Sequence, residues 1–187
     1  PKVKSWVVDK VKAKKHKILF LKGAGKIVDN NFKMDFDTLK GQVLFEDVNI
    51  KFKEHLDPVL ADSFVLEYRD KGLFFDLKNP TYKKRKLAGS TIALTDLLGD
   101  KPTVLKLDLK IVTQLDKEVQ KILKAYKLNM PIQQKGQAAR LHVKLDEYLK
   151  DKNKKATVNV TVDLGKGDLY ISKTRLPVIK GSARYAK

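Results

Sequence analysis

The amino-acid sequence predicts a mainly β protein: a long, twisted and curled antiparallel sheet forming an open β-groove or half-barrel, with two short amphipathic helices. Several segments alternate apolar and polar residues with a period of two, which is typical of strands with one dry face. Only two segments show the helical period. Lys-Gly pairs also precede four extended stretches, LKGAGKI (21–27), LKGQVLF (39–45), QKGQAAR (134–140) and IKGSARY (179–185). These weak repeats favour a meander of similar β units over a closed globule.

The first half of the chain is predicted to contain a helix followed by strands. Val3, Trp6, Val7 and Val11 fall at helical spacing, which predicts a helix over residues 2 to about 14. The strands that follow are predicted in KILFLKGAGKIVD, GQVLFEDVNIKF, FVLEYRDKGLFFDL, KRKLAGSTIALTDL and VLKLDLKIV.

Two connections in this half carry specific expectations. The segment NNFKMDFDTLK is predicted to be a polar connection between strands. In GQVLFEDVNIKF, Val43 and Phe45 are out of phase with Ile50 and Phe52, which predicts a β-bulge at Glu46 and Asp47.

The second half begins with the other predicted helix and ends in strands. Val119, Ile122, Leu123 and Tyr126 follow the i, i+3, i+4, i+7 pattern, and Asp116 is a suitable cap, so we predict a helix from about 116 to 128. Strands are predicted at 136–146, 156–164, 167–173 and 176–185. The strongest alternation is in ATVNVTVDL, and the polar DKNKK before it predicts a hairpin turn.

The charge of the chain is strongly basic and almost entirely due to lysine. Among 187 residues, 40 are Lys or Arg against 22 Asp or Glu, giving +18, yet only five of the 40 are arginine. Because specific phosphate and base recognition favours the arginine fork, this imbalance favours a solvated surface over nucleic-acid recognition. The basic runs KKRK (83–86) and KNKK (152–155) fall in predicted turns, with Tyr82 the one aromatic nearby. Non-specific polyanion binding remains an alternative, as does attraction to an anionic membrane surface.

The sequence offers little support for catalysis. There is no cysteine, and His16, His55 and His142 are too far apart for a familiar zinc motif. The glycines at 23–25 lack the third glycine and the helix entry of a dinucleotide fingerprint. We therefore expect no enzymatic activity, no catalytic residue, no metal and no cofactor.

Three segments carry a resemblance to a known family. EVQKILKAYKLN, QQKGQAARLHVKLDEYL and ATVNVTVDLGKGDLYISKTRLPVIKGSARY resemble the repeated pattern of the AsmA-like proteins, most closely the YhdP branch. VKSWVVDKVKAKK followed by ILFLKGAGKIVD is similar to the start of that pattern, so the resemblance covers nearly the whole chain. One departure is VDNNFKMDF, which has no proline where the family has an aromatic-proline segment.

The resemblance implies a periplasmic segment of an envelope protein, anchored in the inner membrane by a helix outside this chain. It also implies that phospholipid moves along a trough of the sheet between the inner and outer membranes, with possible protein partners in both. Residues 1–187 are accordingly expected to be one β-groove segment, with helix-plus-sheet units at about 1–114 and 115–187.

The candidate groove residues share one property, which is that they are the in-phase apolar residues of the predicted strands. They are Val43, Phe45, Ile50, Phe52, Leu105, Leu107, Leu109, Ile111, Leu141, Val143, Leu145, Val158, Val160, Val162 and Leu164. Alternation alone is equally compatible with a packed core, in which case the chain is a β scaffold or protein-binding domain without lipid.

Overall fold

The computed structural model describes residues 9–51, 54–98, 101–125, 131–149, 151 and 154–186, in which two β-sheets and one short helix are defined. The helix is α1 (Lys117–Ala125). The strands are β1 (Val11–Lys12), β2 (Lys15–Val28), β3 (Asn31–Ile50), β4 (Val59–Arg69), β5 (Gly72–Lys78), β6 (Thr81–Tyr82), β7 (Arg85–Lys86), β8 (Thr91–Thr95), β9 (Val104–Thr113), β10 (Ile132–Gly136), β11 (Ala139–Tyr148), β12 (Thr157–Leu164), β13 (Gly167–Ile171), β14 (Thr174–Val178) and β15 (Gly181–Ala186).

The large sheet has twelve strands and does not close into a barrel. Its order is β1-β3-β4-β5-β8-β9-β11-β12-β15, with β2 paired to β3 and the β6–β7 hairpin attached to β4. A separate sheet has the order β10-β13-β14. All strand pairings among the described residues are antiparallel, as expected for strands joined by short connections. The predicted mainly β, open antiparallel fold is confirmed.

The β11–β12 hairpin confirms the strongest alternation in the sequence. Val143 lies opposite Val160, and the neighbouring apolar pairs match in the same way along the ladder. Because opposite residues of an antiparallel pair share a face, the leucine and valine side chains of this hairpin all lie on one side of the sheet.

This matching extends across the sheet as a continuous row of apolar side chains, which we name the apolar row. Each member lies opposite the next on the neighbouring strand. The row comprises Ile18, Val43, Leu66, Phe75, Ile92, Leu107, Leu145 and Val158. Its members come from eight strands, so the apolar face crosses most of the sheet.

The phase change at Glu46 and Asp47 differs from the predicted β-bulge. The β3–β4 register continues without a shift from Glu46 opposite Ser63 to Val48 opposite Ala61. Instead, Asp47 adopts a positive φ of 52°, and the buried positions of β4 change phase at the same level. Both strands therefore change face together, which keeps Val48 and Ile50 in the same hydrophobic core as Phe64.

The segment NNFKMDFDTLK is not a connection, since β3 begins at Asn31 and forms a long hairpin with β2. The turn at Asp29 and Asn30 has positive φ at both residues, as a tight two-residue hairpin requires. The Lys-Gly pairs also do not all open strands. Gly23 and Gly41 lie inside strands, whereas Gly136 ends β10 and Gly181 begins β15.

The two predicted helices have different outcomes. Helix α1 confirms the prediction over Lys117–Ala125, and residues 126–130 lie outside the described residues. Most of the predicted helix over residues 2 to about 14 also lies outside them. Within its described part, residues 9–10 are helical but Val11–Lys12 form β1, because they pair with Ile50 and Asn49 of β3.

The burial of Leu107 in the apolar row can be tested by its effect on stability, because this side chain is only 4% exposed. Leu107→Ala should lower the free energy of unfolding by ~2–5 kcal/mol, because a buried leucine leaves a cavity when truncated. Urea denaturation followed by circular dichroism measures this change. Lys110→Ala, on the outer face of the same strand, is the matched control and should change stability by less than ~0.5 kcal/mol. Equal effects of the two substitutions would contradict the assigned faces.

Candidate functional site

The predicted groove residues divide into buried and partly exposed sets, and Phe52 lies outside the described residues. The buried set is Ile50, Leu105, Leu107, Leu141, Leu145, Val158, Val160 and Val162, none of them more than 5% exposed. The partly exposed set is Val43, Phe45, Leu109, Ile111, Val143 and Leu164. The structure therefore brings them onto one apolar face whose centre is covered by the chain itself, and their role in lipid binding stays a prediction.

Helix α1 covers the centre of this face. Val119 and Leu123 are buried in the same hydrophobic core as the strand residues, together with Leu115 just before the helix. Asp116 caps the helix, since its Oδ1 accepts hydrogen bonds from the backbone N–H groups of Glu118 at 3.0 Å and Val119 at 3.1 Å. The same polar residue that the sequence indicates as a cap therefore begins the helix.

Between α1 and the sheet lies an apolar cavity of about 90 Å³. Its floor is formed by β9 and β11 and its roof by α1, while the start of β4 and the β6–β7 hairpin close one side. Its apolar lining residues are Leu56, Val59, Tyr82, Leu87, Leu107, Leu109, Ile111, Val119, Ile122, Leu123, Leu141 and Val143. Five of the seven predicted groove residues on β9 and β11 thus meet at one cavity.

Sequence reasoning missed the side wall of the cavity. Val59, Tyr82 and Leu87 form a buried cluster that contacts Ile111 and Ile122. The sequence predicts that strand structure continues through KRKLAGSTIALTDL, but β7 and β8 are separated there by an irregular segment, and Leu87 lies in that segment. An isolated leucine between charged and small residues carries no periodic signal, so its burial depends on tertiary packing.

A group of ion pairs clamps α1 to the β6–β7 hairpin, and we call this group the clamp. Lys83 Nζ lies 2.8 Å from Asp57 Oδ2 and 2.6 Å from Glu118 Oε2. Arg85 donates to Asp116 and, at 2.7 Å, to Thr113 Oγ1. The helix cap Asp116 and the first-turn residue Glu118 are therefore both held by the β6–β7 hairpin.

The clamp shifts the pKa values of its members. The pKa of Glu118 is lowered from 4.5 to about 2, first by the hydrogen bond from Lys121 and then by that from Lys83. The pKa of Lys83 is raised, first by its hydrogen bond to Asp57 and then by that to Glu118. Both shifts favour the charged forms that hold the clamp together.

The clamp also explains half of the KKRK run, because Lys83 and Arg85 are engaged in ion pairs. Lys84 and Lys86 instead line a surface depression of about 630 Å³ together with Lys110 and Arg140. His142 also lies there, with Nε2 2.7 Å from Asp108 Oδ1. A basic surface is thus present, but part of the run has a structural role.

Features of metal sites and membrane-spanning helices were not found in the described part of the chain. No group of three or more His, Cys, Asp or Glu residues is arranged to hold a metal ion there. Among the same residues, no helix has the length and apolar character needed to cross a membrane.

The lowered pKa of Glu118 predicts a pH dependence of stability. Because the folded pKa lies below the ordinary value, the Glu118 carboxylate stabilises the fold above pH 4.5, and this contribution is lost as the pH falls toward about 2. Compared with Glu118→Gln, the wild-type chain should be more stable above pH 4.5, and the difference should shrink below it. Thermal unfolding of both proteins across this range measures the difference. A difference that is independent of pH would contradict the clamp.

Comparison with known protein families gives a match over nearly the whole chain. A family profile described as YhdP protein matches residues 1–185. No curated protein and no solved structure matches the chain. The match spans both the region before α1 and the region after it, so it covers the large sheet as a whole. The chain therefore belongs to the YhdP family, which is related to lipid transport and is not a known class of enzymes.

Proposed function

We propose that this chain is a segment of an envelope protein that binds phospholipid acyl chains on the apolar face of its sheet and conducts lipid between the inner and outer membranes. The apolar row is the observation that carries the proposal. It presents a hydrophobic side chain on each of eight neighbouring strands, with no polar side chain between them.

The dimensions of the row suit an acyl chain. Neighbouring strands lie ~4.8 Å apart, so the row from Ile18 to Val158 extends over about 34 Å. An acyl chain spans about half of the ~30 Å hydrocarbon core of a bilayer, which is less than the row. Contact between apolar groups is non-directional, so an acyl chain can move along the row without breaking specific bonds.

Access to the centre of the row requires movement of α1, because Leu107 and Leu145 are buried beneath the chain's own side chains. The cavity under α1 gives a starting point, since Leu109, Ile111 and Val143 line it and are partly exposed. The clamp is solvent-accessible, with the Lys83 side chain 34% exposed and that of Glu118 27% exposed. Exposed ion pairs of this kind are weak, so the cost of displacing the helix comes mainly from its buried Val119 and Leu123, whose apolar contacts with the sheet an entering acyl chain can replace.

The rest of the proposal concerns the intact protein. It places this segment in the periplasm, tethered to the inner membrane by an anchor outside the chain, with protein partners in one or both membranes. Lipid headgroups remain outside the apolar face, where lysines are abundant. Burial of each acyl CH₂ supplies about 0.8 kcal/mol, so binding requires no catalytic residue and no cofactor.

Val143→Asp tests the proposal directly, because it places a carboxylate in the apolar cavity at a partly exposed position. The wild-type chain, purified from a lipid-containing host without detergent, should carry phospholipid in native mass spectrometry and in organic extracts. The variant should carry at least roughly tenfold less, because an ionised carboxylate in an apolar site is strongly unfavourable. Asn159→Asp, exposed on the outer face of β12 and opposite Lys144, changes the charge by the same amount, is the matched control and should retain the lipid.

A second variant separates lipid loss from loss of folding. Leu109→Trp fills part of the cavity with an apolar side chain and should reduce lipid content while leaving the circular dichroism spectrum unchanged. Wild-type protein that is free of lipid and shifts RNA with a steep salt dependence would favour the polyanion alternative. Binding of neither ligand would favour a β scaffold.

A further inference from the structure

The β2–β3 hairpin projects beyond the rest of the sheet. Strand β4 pairs with β3 only from Gly41 to Ile50, so residues 22–40 form a two-stranded extension that we name the arm. Asp37 in the arm pairs with Lys71 of the β4–β5 turn at 2.5 Å, which fixes the base of the arm to the sheet.

One face of the arm is apolar and exposed. Ile27 lies opposite Phe32, and Met34 lies opposite Gly25, so these residues share a face. Ile27 is 76% exposed and Phe32 is 65% exposed. The Phe32 ring lies across Gly25, where an added Cβ would come within 2.4 Å of the ring. Large apolar side chains exposed together in this way mark an interaction surface.

The other face carries lysines in an arrangement that is unfavourable in water alone. Lys26 lies directly opposite Lys33, and Lys22 lies directly opposite Lys40. Like charges directly opposite each other destabilise a strand pair, and Asp35, opposite Ala24 on the same face, offsets only part of this repulsion because it faces four lysines. The period of two places Lys22 and Lys26 on the same side of β2. The arm thus has an apolar face and a lysine face, the pattern of elements that lie in the membrane interface.

We propose that the arm docks on the surface of an anionic phospholipid bilayer. Its apolar face enters the boundary between headgroups and acyl chains, and the lysine side chains extend to the lipid phosphates. A second copy of the chain fits less well, since the net charge of +18 on the whole chain opposes self-association, and the arm, with four lysines and three aspartates, adds no attraction between copies. The arm residues lie outside the cavity, so docking can be tested separately from the lipid content that depends on Val143.

Vesicle flotation of the whole chain tests this proposal. The wild-type protein should float with vesicles of phosphatidylcholine and phosphatidylglycerol, and only weakly with phosphatidylcholine alone. Replacing Lys26 and Lys33 by glutamine should lower the partition coefficient roughly thirtyfold, since each lysine at an anionic surface accounts for about a fivefold change. The matched control replaces Lys173 and Lys180, which removes the same charge elsewhere and should have a much smaller effect.

The apolar face is tested separately from the charge. Ile27→Ser combined with Phe32→Ser should reduce flotation at least roughly tenfold, because the apolar contact is lost. Both side chains are exposed, so the core and the lipid content that depends on Val143 should be unchanged. In Phe32→Trp, made in a Trp6→Phe background so that position 32 holds the only indole of the chain, the fluorescence should shift to the blue and be quenched by brominated lipid.

Three results would overturn the proposal. One is that the variant with serine at positions 27 and 32 floats as well as the wild-type protein. Another is that brominated lipid does not quench the indole at position 32. The third is a wild-type dimer in sedimentation analysis that the serine variant converts to a monomer, because the arm would then be a contact between copies. Vesicle binding that persists when Val143→Asp has removed the co-purified lipid would support docking while leaving lipid carriage to be judged by its own experiment.

Discussion

The structure depends on one constraint, which is that neighbouring strands must place their apolar residues at the same level on the same face. Cross-strand matching satisfies this constraint from Ile18 to Val158. A one-residue slip in any of these strands would move the apolar side chains of that strand to the wet face. A single misplaced strand would therefore interrupt the apolar row. The change of face at Asp47 shows how strictly the constraint acts, because β4 changes face at the same level.

Helix α1 determines how much of that face is available. The sheet has far more apolar surface than one short helix can cover, so the centre is packed while Ile18, Leu21 and Ile27 remain exposed toward one end. The helix is held by hydrophobic contacts below and by the exposed clamp above, and the contacts below leave a cavity. A helix that covers the apolar face through incomplete packing and exposed ion pairs is compatible with a site that is closed in the free protein and opened by its ligand.

Much of the fold could be predicted because local patterns and tertiary structure agree. Alternation in Val158, Val160 and Val162 has only one solution on an antiparallel sheet with a single dry face, and Asp116 marks the start of α1. The arm could also have been found, since Phe32, Met34 and Phe36 alternate with polar residues. The lysines and aspartates around them concealed this signal, because a segment with so many charges is typical of a connection.

The state of the candidate site could not be predicted for a physical reason. A strand beneath a helix and a strand that lines an open groove have the same alternation, so Leu107 and Leu109 look equivalent in the sequence. The structure distinguishes them, because Leu107 is buried and Leu109 is partly exposed at the cavity. Coverage depends on Tyr82 and Leu87, whose positions are determined by the clamp and by the path of the chain between β6 and β8.

The pairing of β2 also affects how the chain behaves in solution. Within the described residues, β2 pairs only with β3, so its other edge presents unpaired backbone groups along fourteen residues. Such an edge is a template for aggregation, and natural proteins protect it with charged side chains, lysine in particular. Lys15, Lys17, Lys22 and Lys26 lie along this edge strand. Repulsion between these lysines on different molecules is screened at high ionic strength, so we expect edge-to-edge association through β2 to increase with salt concentration.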